Sequence, residues 1–225
     1  MPLAVERLRD LTEEQWGLFT RRQAVDAGVG WSSMADLVRR GLIERVAHGV
    51  YRMRGAPEPD NLGLRAAWLQ LDPARSAWER VADPEDALVS HTSAAALYGM
   101  GDLRADIHEF TVAVRRQTGR SDVRLHRGRV PPEQRQILHG LPATRAARMI
   151  GDLLADNVGP DSVARITAET VERVFDYPAN IAESVAPYAS RFGFRKGDGL
   201  ALFDHLLALA GYRDRVEVVA LVREG

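Results

Sequence analysis

Residues 20–53 of this chain read TRRQAVDAGVGWSSMADLVRRGLIERVAHGVYRM. Two short helical patterns lie on either side of a glycine-containing turn, and two short apolar strands follow them. Thr20 and Gln23 have the spacing of a capping box at the start of the first helix, and Gly28 suits the left-handed backbone that ends it. This order of elements predicts a winged helix-turn-helix, in which a β-hairpin follows the second helix.

The second helix of the motif carries an apolar stripe at spacings of three and four residues. Its members are Met34, Leu37 and Val38. We expect Ser32 or Ser33 to cap the start of this helix and Gly41 to follow its last turn.

Strands are predicted at residues 42–46 and 50–53, around a turn at residues 47–49. Ahead of the motif, residues 11–19 predict a helix whose capping box consists of Thr12 and Gln15. That helix would complete the three-helix core of the module.

The composition is that of a globular protein, with 225 residues of which 45% are hydrophobic and 27% are charged. The chain has no cysteine, which excludes disulfides and thiolate ligands for a metal. The first residues lack the apolar region of a signal peptide, and no apolar run approaches the roughly 18 residues of a membrane span. We therefore expect a cytoplasmic protein with no membrane partner.

The net charge is −1, but the charge is distributed in blocks along the chain. Residues 15–55 contain seven arginines and three acidic residues, and residues 113–150 contain nine arginines and two acidic residues. Residues 56–112 and 151–225 are acidic. A local basic face matters more for DNA binding than the net charge, so this distribution is compatible with a nucleic-acid partner.

Residues 55–61 have the composition of a linker. They separate a predicted DNA-binding domain of residues 1–55 from a mixed domain of residues 62–225, which is helical from about residue 144. The predicted fold class is α+β, with an N-terminal winged helix-turn-helix followed by a mixed α/β domain that has a small sheet and a helical C-terminal part.

Local signals predict several elements in the second domain. A helix at residues 73–81 has proline in its first turn, and a helix at residues 144–154 is capped by Thr144. Further predicted elements are strands at residues 87–90, 107–114 and 123–126, and a small-residue helix at residues 91–98 that Gly99 ends.

The second helix of a helix-turn-helix approaches base edges with its N-terminal residues, while surrounding arginines contact phosphates and fix the position of the protein. His48, at the tip of the wing, is placed to meet the minor groove or a phosphate. The candidate DNA-binding residues are Thr20, Arg21, Arg22, Trp31, Ser32, Ser33, Asp36, Arg39, Arg40, Arg45, His48 and Arg52. The same fold also serves protein contacts alone, so that alternative stays open.

A second basic run lies on the hairpin predicted between residues 107 and 126. Its members are Arg115, Arg116, Arg120, Arg124 and Arg127. This second basic patch extends a DNA footprint, meets a partner bound to nucleic acid, or is a solvated surface that the preceding acidic segment neutralises.

No enzyme signature is found. Ser90 and His91 lack the G-x-S-x-G elbow of a hydrolase, and the chain has neither a dinucleotide fingerprint nor a Walker A motif. The histidines lack the H-x-x-x-H spacing of a zinc site, although His108 and His126, on adjacent predicted strands, could face one another. We therefore expect no catalytic residue, no metal and no cofactor.

Five segments of the first domain carry a likeness to a known family: Thr20-Arg21, Gln23-Ala24, Ala27-Gly28, residues 37–46 and residues 49–52. With these residues the opening resembles the N-terminal winged-helix domain of the AbiEi family of bacterial antitoxins. A second part of this chain resembles the region that follows the winged-helix domain in many family members. The residues that carry this likeness are 89–99, 110–112, 140–144, Arg148 and 152–154. The likeness spans about residues 11–155.

The resemblance implies a repressor that binds repeated half-sites in double-stranded operator DNA upstream of a toxin-antitoxin operon. It also implies a functional partner, an AbiEii-type nucleotidyltransferase-like toxin, whose effect the C-terminal part opposes without requiring a stable complex. Some relatives carry a fused nuclease-like domain, but the acidic segment after residue 155 has no matching set of carboxylates and a lysine.

Other hypotheses fit the same sequence. A stand-alone regulator would show the same pattern, as would a protein-interaction module whose second domain holds a partner. An enzyme that acts on nucleic acid would be revealed by metal-dependent cleavage.

Overall fold

The computed structural model describes residues 2–13 and 15–224 and combines helices with small sheets, which confirms the α+β class. The chain forms two compact units. The first consists of Met1–Ala87 and Val112–Val123, and the second of Leu88–Thr111 and Arg124–Gly225.

The first unit extends beyond the predicted linker at residues 55–61. The assignment of separate roles to residues 1–55 and 62–225 remains a prediction, because compactness alone does not assign a function to either part.

The first unit opens with a helix, a strand, two helices and two strands. They are α1 (Pro2–Glu13), β1 (Leu18–Thr20), α2 (Arg21–Asp26), α3 (Trp31–Arg39), β2 (Ile43–Ala47) and β3 (Val50–Met53). The strands form an antiparallel sheet in the order β1-β3-β2. This is the arrangement of a winged helix-turn-helix, with β2 and β3 as the wing.

Apolar side chains from these elements share one core. Leu8 of α1, Met34 of α3 and Ile43 of β2 are each at most 1% exposed. Phe19 of β1 stacks on Tyr51 of β3, with ring centroids 5.8 Å apart. Since burial of a large apolar side chain contributes about 1.5–3 kcal/mol, this core fixes the orientation of α3 against α1 and the sheet.

The predicted helix at residues 11–19 is wrong. α1 starts and ends earlier, and Trp16 and Gly17 follow it with φ angles of 57° and 75°, which a right-handed helix cannot contain. The Thr12 hydroxyl does not cap a helix but donates to the Arg9 carbonyl oxygen at 2.9 Å. Pairing of β1 with the distant β3 therefore overrides the local capping signal.

The predicted cap of α3 is also wrong. α3 begins at Trp31, and its N-cap is Gly30, whose carbonyl oxygen accepts from the Met34 N–H at 3.0 Å. Ser32 and Ser33 lie in the first turn and are exposed. Both hydroxyls are therefore left for other partners.

Two further helices belong to the first unit, α4 (Leu62–Leu71) and α5 (Ala77–Val81). The helix predicted at residues 73–81 is thus shorter at its start. Ser76 and Glu79 form a capping box there, so the helix begins at this box and not at the preceding proline.

A buried amide pair joins the winged helix to the residues that follow the linker. Gln23 forms the predicted capping box with Thr20 and also donates to the Arg75 carbonyl oxygen at 2.9 Å. Gln15 donates to the Gln23 side-chain oxygen at 2.9 Å and accepts from the Ala77 N–H at 2.9 Å. A buried amide left unpaired costs about 1–3 kcal/mol, so these contacts hold the start of α5 against the winged helix.

α5 also carries a buried ion pair. The Arg80 guanidinium donates to the Asp86 carboxylate at 2.8 and 2.9 Å, and both side chains are at most 1% exposed. Arg80 donates to the Trp68 carbonyl oxygen at 2.7 Å and lies 3.8 Å from the centroid of the Trp68 ring. The pair therefore fixes α5 against α4.

Five strands form the sheet associated with the second unit. They are β4 (Leu88–Val89), β5 (His108–Val112), β6 (Val123–Arg127), β7 (Arg135–Leu138) and β8 (Leu141–Thr144). Their order is β6-β5-β4-β8-β7, with β4 parallel to β8 and antiparallel to β5. The β7–β8 hairpin has no counterpart in the sequence prediction, and Thr144 ends β8 instead of capping a helix.

Helices make up most of the second unit. They are α6 (His91–Tyr98), α7 (Ala146–Ala155), α8 (Pro160–Glu172), α9 (Pro178–Val185), α10 (Gly199–Leu209) and α11 (Arg215–Glu224), with a 3₁₀ segment at Ala186–Phe192. Gly99 ends α6 with a φ of 65°, as predicted. α9 and α10 approach so closely that a methyl group on Gly199 would overlap the Ala182 carbonyl oxygen.

Candidate nucleic-acid interface

The second helix of the helix-turn-helix, α3, is buried on one side and exposed on the other. Met34 and Leu37 face the core, and each is 1% exposed. Trp31, Ser32 and Ser33, at the N-terminal end, are exposed, and 57% of the Trp31 surface is accessible. Such a free N-terminal face is what a helix needs to enter the major groove.

A single carboxylate forms ion pairs with two arginines at the end of α3. Asp36 forms ion pairs with Arg39 and, at 2.7 Å, with Arg40. Both arginine side chains are more than half exposed. Exposed pairs contribute only about 0–1 kcal/mol, so either guanidinium can turn toward a phosphate at low cost.

α2 presents two more guanidinium groups beside this face. Arg21 lies over the Trp31 ring, 4.7 Å from its centroid, which orients the indole through a cation–π contact. Arg22 pairs with Asp26 at 2.9 Å within α2. Both arginines are exposed, so they extend the positive charge from the start of α3 to the start of α2.

The tip of the wing is basic as well. Arg45 and His48 are exposed, and the Arg45 guanidinium lies 3.0 Å from His48 Nδ1. Gln70 of α4 donates to the His48 carbonyl oxygen. This hydrogen bond links the tip of the wing to α4.

A cleft of about 700 Å³ opens beside α2 and the wing tip, within the first unit. Arg116 donates to the Leu71 carbonyl oxygen at 2.9 Å, and Arg120 contacts Gln70 and Asp122. The basic residues that line the cleft are Arg21, Arg22, His48, Arg116 and Arg120. No local pattern in the sequence predicts this cleft, because its walls come from segments far apart along the chain.

Two of the candidate DNA-binding residues, Thr20 and Arg52, make contacts within the protein that stabilise the fold. Thr20 is fully buried, where it caps α2 and donates to the Pro73 carbonyl oxygen. Arg52 exposes only 14% of its side chain and is paired with Glu44 and Glu58. We remove both from the candidate interface, because burial and ion pairing already occupy their polar groups.

The second basic patch is divided between the two units. Arg115, Arg116 and Arg120 lie in the first unit, and Arg124 and Arg127 in the second. Arg116 and Arg120 line the cleft, whereas Arg124 lies beside two carboxylates of the second unit. The five arginines thus have different surroundings, and a shared function for them remains a prediction.

In the second unit, polar side chains surround His91, the first residue of α6. Its ring is stacked on that of His126 in β6, with centroids 3.5 Å apart, and its Nδ1 lies 2.9 Å from Ser90 Oγ. Glu109 Oε1 lies 3.1 Å from His126 Nε2, and Glu109 Oε2 accepts from the Thr92 N–H at 3.0 Å. These contacts join α6, β5 and β6.

The environment of this cluster changes the charge states of its members. Burial lowers the pKa of His91, against the attraction of Asp152. Burial alone would raise the pKa of Glu109, but hydrogen bonds, chiefly from His126, lower it to about 2. From the sequence, His126 could face His108 on the adjacent predicted strand. In the structure its ring is stacked on that of His91. His91 does begin a helix, as predicted.

Comparison with known families gives a match for the winged helix-turn-helix. Residues 6–54 match the family described as transcriptional regulator, AbiEi antitoxin. This match runs from within α1 to the end of the wing and confirms the resemblance to AbiEi antitoxins for this part of the chain. The matched AbiEi family consists of regulators and is not an enzyme family.

A search of curated proteins finds no significant match to this chain. Among the described residues, none of the helices has the length and apolar character that a membrane crossing requires.

Proposed function

We propose that this protein is a transcriptional repressor of the antitoxin type that recognises repeated half-sites in double-stranded operator DNA through α3. The observation that carries the proposal is the exposed N-terminal face of α3, inside a winged helix that matches AbiEi regulators. On this face Ser32 and Ser33 offer hydroxyls to base edges or phosphates. Trp31 offers an apolar surface to the groove.

The arginines around that face would position the protein on the duplex by contacting phosphates. Arg21, Arg22 and Arg45 are exposed on α2 and at the wing, and Arg39 and Arg40 are exposed at the end of α3. If about five phosphates are neutralised, the logarithm of the association constant should fall against the logarithm of salt concentration with a slope of about −4.5. A role on operator DNA places the protein in the cytoplasm.

The proposed repressor opposes a nucleotidyltransferase-like toxin encoded beside it, with residues 62–225 as the neutralising part. The antitoxin description of the family that residues 6–54 match supports opposition to a toxin. The adjacent gene should therefore slow growth when expressed alone and should not do so when expressed with this protein. Growth that is unaffected by the adjacent gene would favour a stand-alone regulator.

The experiment that tests DNA binding is a fluorescence anisotropy titration with the DNA upstream of this protein's own gene. An unrelated duplex of the same length is the comparison, at two salt concentrations. We expect tighter binding to the upstream DNA. The double variant Arg39→Ala and Arg40→Ala should weaken it by about tenfold, since each lost phosphate contact costs of order 0.5–1 kcal/mol.

A matched control removes two positive charges elsewhere. Arg104 and Arg195 are exposed in the second unit, and Arg104→Ala with Arg195→Ala should leave the affinity unchanged. Equal loss in both double variants, or binding that ignores sequence and disappears at moderate salt, would contradict the proposal. A protein-interaction module would then be the better explanation.

A further inference from the structure

Three residues that are far apart in the sequence meet in the second unit. His91 begins α6, His126 lies in β6, and Asp156 follows the last residue of α7. One potential ligand atom from each residue lies within 4.8 Å of the others. Histidine nitrogens and a carboxylate oxygen are common ligands of transition metals.

The separations suit a small cation. His126 Nε2 lies 4.0 Å from Asp156 Oδ2 and 3.1 Å from Glu109 Oε1. In a tetrahedral site with metal–ligand bonds of about 2.0–2.1 Å, neighbouring ligand atoms are about 3.3 Å apart. The observed distances lie on either side of that value. The His91 and His126 rings are stacked with an angle of 12° between their planes, so their in-plane nitrogen lone pairs do not converge. The His126 ring therefore has to turn out of the stack and exchange its contact with Glu109 for the ion before both imidazoles can bind it.

His91 is held in a position that suits a ligand. Its φ is 53°, a left-handed conformation that is uncommon for residues other than glycine and that is often found at functional sites. Its Nδ1 is engaged by Ser90 Oγ, which Thr111 Oγ1 contacts in turn at 2.9 Å. A hydrogen bond of this kind orients a metal-bound imidazole and leaves Nε2 for the ion.

An unpaired carboxylate oxygen lies in the same neighbourhood. Asp152 is 6% exposed, and its Oδ2 has no hydrogen-bond partner among the residues that the structure describes. Asp152 lies close enough to His91 for its charge to act on the imidazole. Arg148 Nε lies 2.7 Å from the other Asp152 oxygen, Oδ1, so this arginine compensates part of the charge and Oδ2 alone is left without a hydrogen-bond partner.

We propose that His91, His126 and Asp156 bind a divalent transition-metal ion, preferentially Zn²⁺, with Glu109 as the fourth ligand. Two imidazoles favour Zn²⁺ over Mg²⁺ and Ca²⁺, which prefer oxygen ligands. The ion would join α6, β5, β6 and α7 and so stabilise the second unit. This site is independent of the proposed DNA-binding function.

Arg124 is the competing cation. Its guanidinium lies 3.5 Å from Glu109 Oε1 and 3.4 Å from Asp156 Oδ2, and 56% of its side chain is exposed. The Glu109 side chain is only 4% exposed, so losing the guanidinium would leave a buried charge unless another cation takes its place. Zn²⁺ would take that place, and it therefore competes directly with Arg124. Arg124→Gln should therefore bind Zn²⁺ more tightly than the wild-type protein.

Zinc binding is tested on the full chain without an affinity tag, by competition with a chromophoric zinc chelator and by thermal unfolding. We expect one Zn²⁺ per chain and a higher Tm with Zn²⁺, but no comparable shift with Mg²⁺ at the same concentration. His126→Ala should lower the affinity by at least about 10–100-fold, the loss that even outer partners of a metal site cause. It should also abolish the rise in Tm.

His139→Asn is the matched control. It removes an exposed histidine whose φ of 50° asparagine tolerates, and it should leave the zinc affinity unchanged. If His126→Ala fails to fold, Asp156→Asn provides the second variant, because Asp156 is partly exposed at a helix end. No zinc binding by the wild-type chain, or equal affinity in the wild type and the variant tested, would overturn the proposal.

Discussion

Asp36 is the only acidic side chain on the exposed part of α3, and it faces the two arginines at the end of that helix. Near DNA this carboxylate can act in two ways. It can reduce the attraction between Arg39 or Arg40 and phosphates, or it can accept a hydrogen bond from a cytosine amino group. The two roles predict opposite effects of neutralising the side chain.

We expect the first role, because the carboxylate is already paired with both arginines. Asp36→Asn removes one negative charge from the candidate interface and should raise the affinity for any duplex by about fivefold at low salt, equivalent to about 1 kcal/mol. Anisotropy titrations with upstream and unrelated duplexes measure this change. Asp10→Asn, an exposed site on α1, is the control and should change neither affinity.

Weaker binding to the upstream DNA alone would instead identify Asp36 as a residue that reads a base. The same titrations distinguish the two results, because the loss of a base contact leaves binding to the unrelated duplex unchanged.

At the scale of elements, the position of α5 depends on the buried pair of Arg80 and Asp86. Arg80→Met leaves the buried Asp86 carboxylate with only the more distant Arg75 guanidinium, 3.6 Å away. Breaking a buried pair in this way costs about 3–5 kcal/mol. The free energy of unfolding from urea denaturation should fall by that amount. Arg22→Ala, which breaks the exposed pair with Asp26, should change it by no more than about 1 kcal/mol.

The close contact between α9 and α10 requires glycine at position 199, which has no side chain. Gly199→Ala would drive a methyl group into the Ala182 carbonyl oxygen and the Ala186 side chain. We expect the variant to lose about 1–3 kcal/mol of stability, as in other overpacked sites. Gly159→Ala, where an added methyl group meets no atom within 4 Å, should cost clearly less in the same thermal unfolding measurement.

Elements whose ends carry local signals are predictable from this sequence. α2 begins at a capping box that Thr20 and Gln23 form, and α6 ends at Gly99, as predicted. β1 is different, because its three residues are too few to show a strand period and they form a strand by pairing with β3. The β7–β8 hairpin was missed for a related reason, since Pro142 within β8 weakens a strand pattern.

Prediction of the candidate sites from the sequence is limited in the same way, because contacts between distant residues are not visible in it. The position of Ser32 and Ser33 on an exposed face follows from the helical period of α3, but the burial of Thr20 depends on its contact with Pro73. The meeting of His91 with His126 depends on sheet order and helix packing. The contact between these two histidines cannot be predicted from their separation along the sequence.

The segment that matches AbiEi regulators is shorter than the compact unit that contains it. The Trp16 ring lies 6.1 Å from the Trp68 ring, and the Arg65 guanidinium lies 4.4 Å from the Trp16 centroid. The amide pair of Gln15 and Gln23 adds polar contacts across the same boundary. The winged helix therefore depends on residues beyond the wing.

A truncated protein of residues 1–55 should be much less stable than the winged helix is in the full chain. Truncation exposes Trp16 and removes the contacts of Gln23 with Arg75 and of Gln15 with Ala77. A domain of this size is also marginal on its own. We expect a broad thermal transition, measured by circular dichroism, at a lower temperature than that of the full chain. A sharp transition at an unchanged temperature would show that the contacts with residues 62–87 contribute little.

The order in which the chain visits its two units affects how the protein can be cut or recombined. The chain leaves the first unit after Ala87, returns for Val112–Val123, and leaves again. A protease that cuts at residues 55–61 would produce a nicked protein whose pieces stay associated through the glutamine contacts. A genetic exchange at the same point would separate Gln15 and Gln23 from their partners. The winged helix is therefore poorly suited to transfer between genes as a separate domain. A functional gene fusion should retain residues 1–123 together.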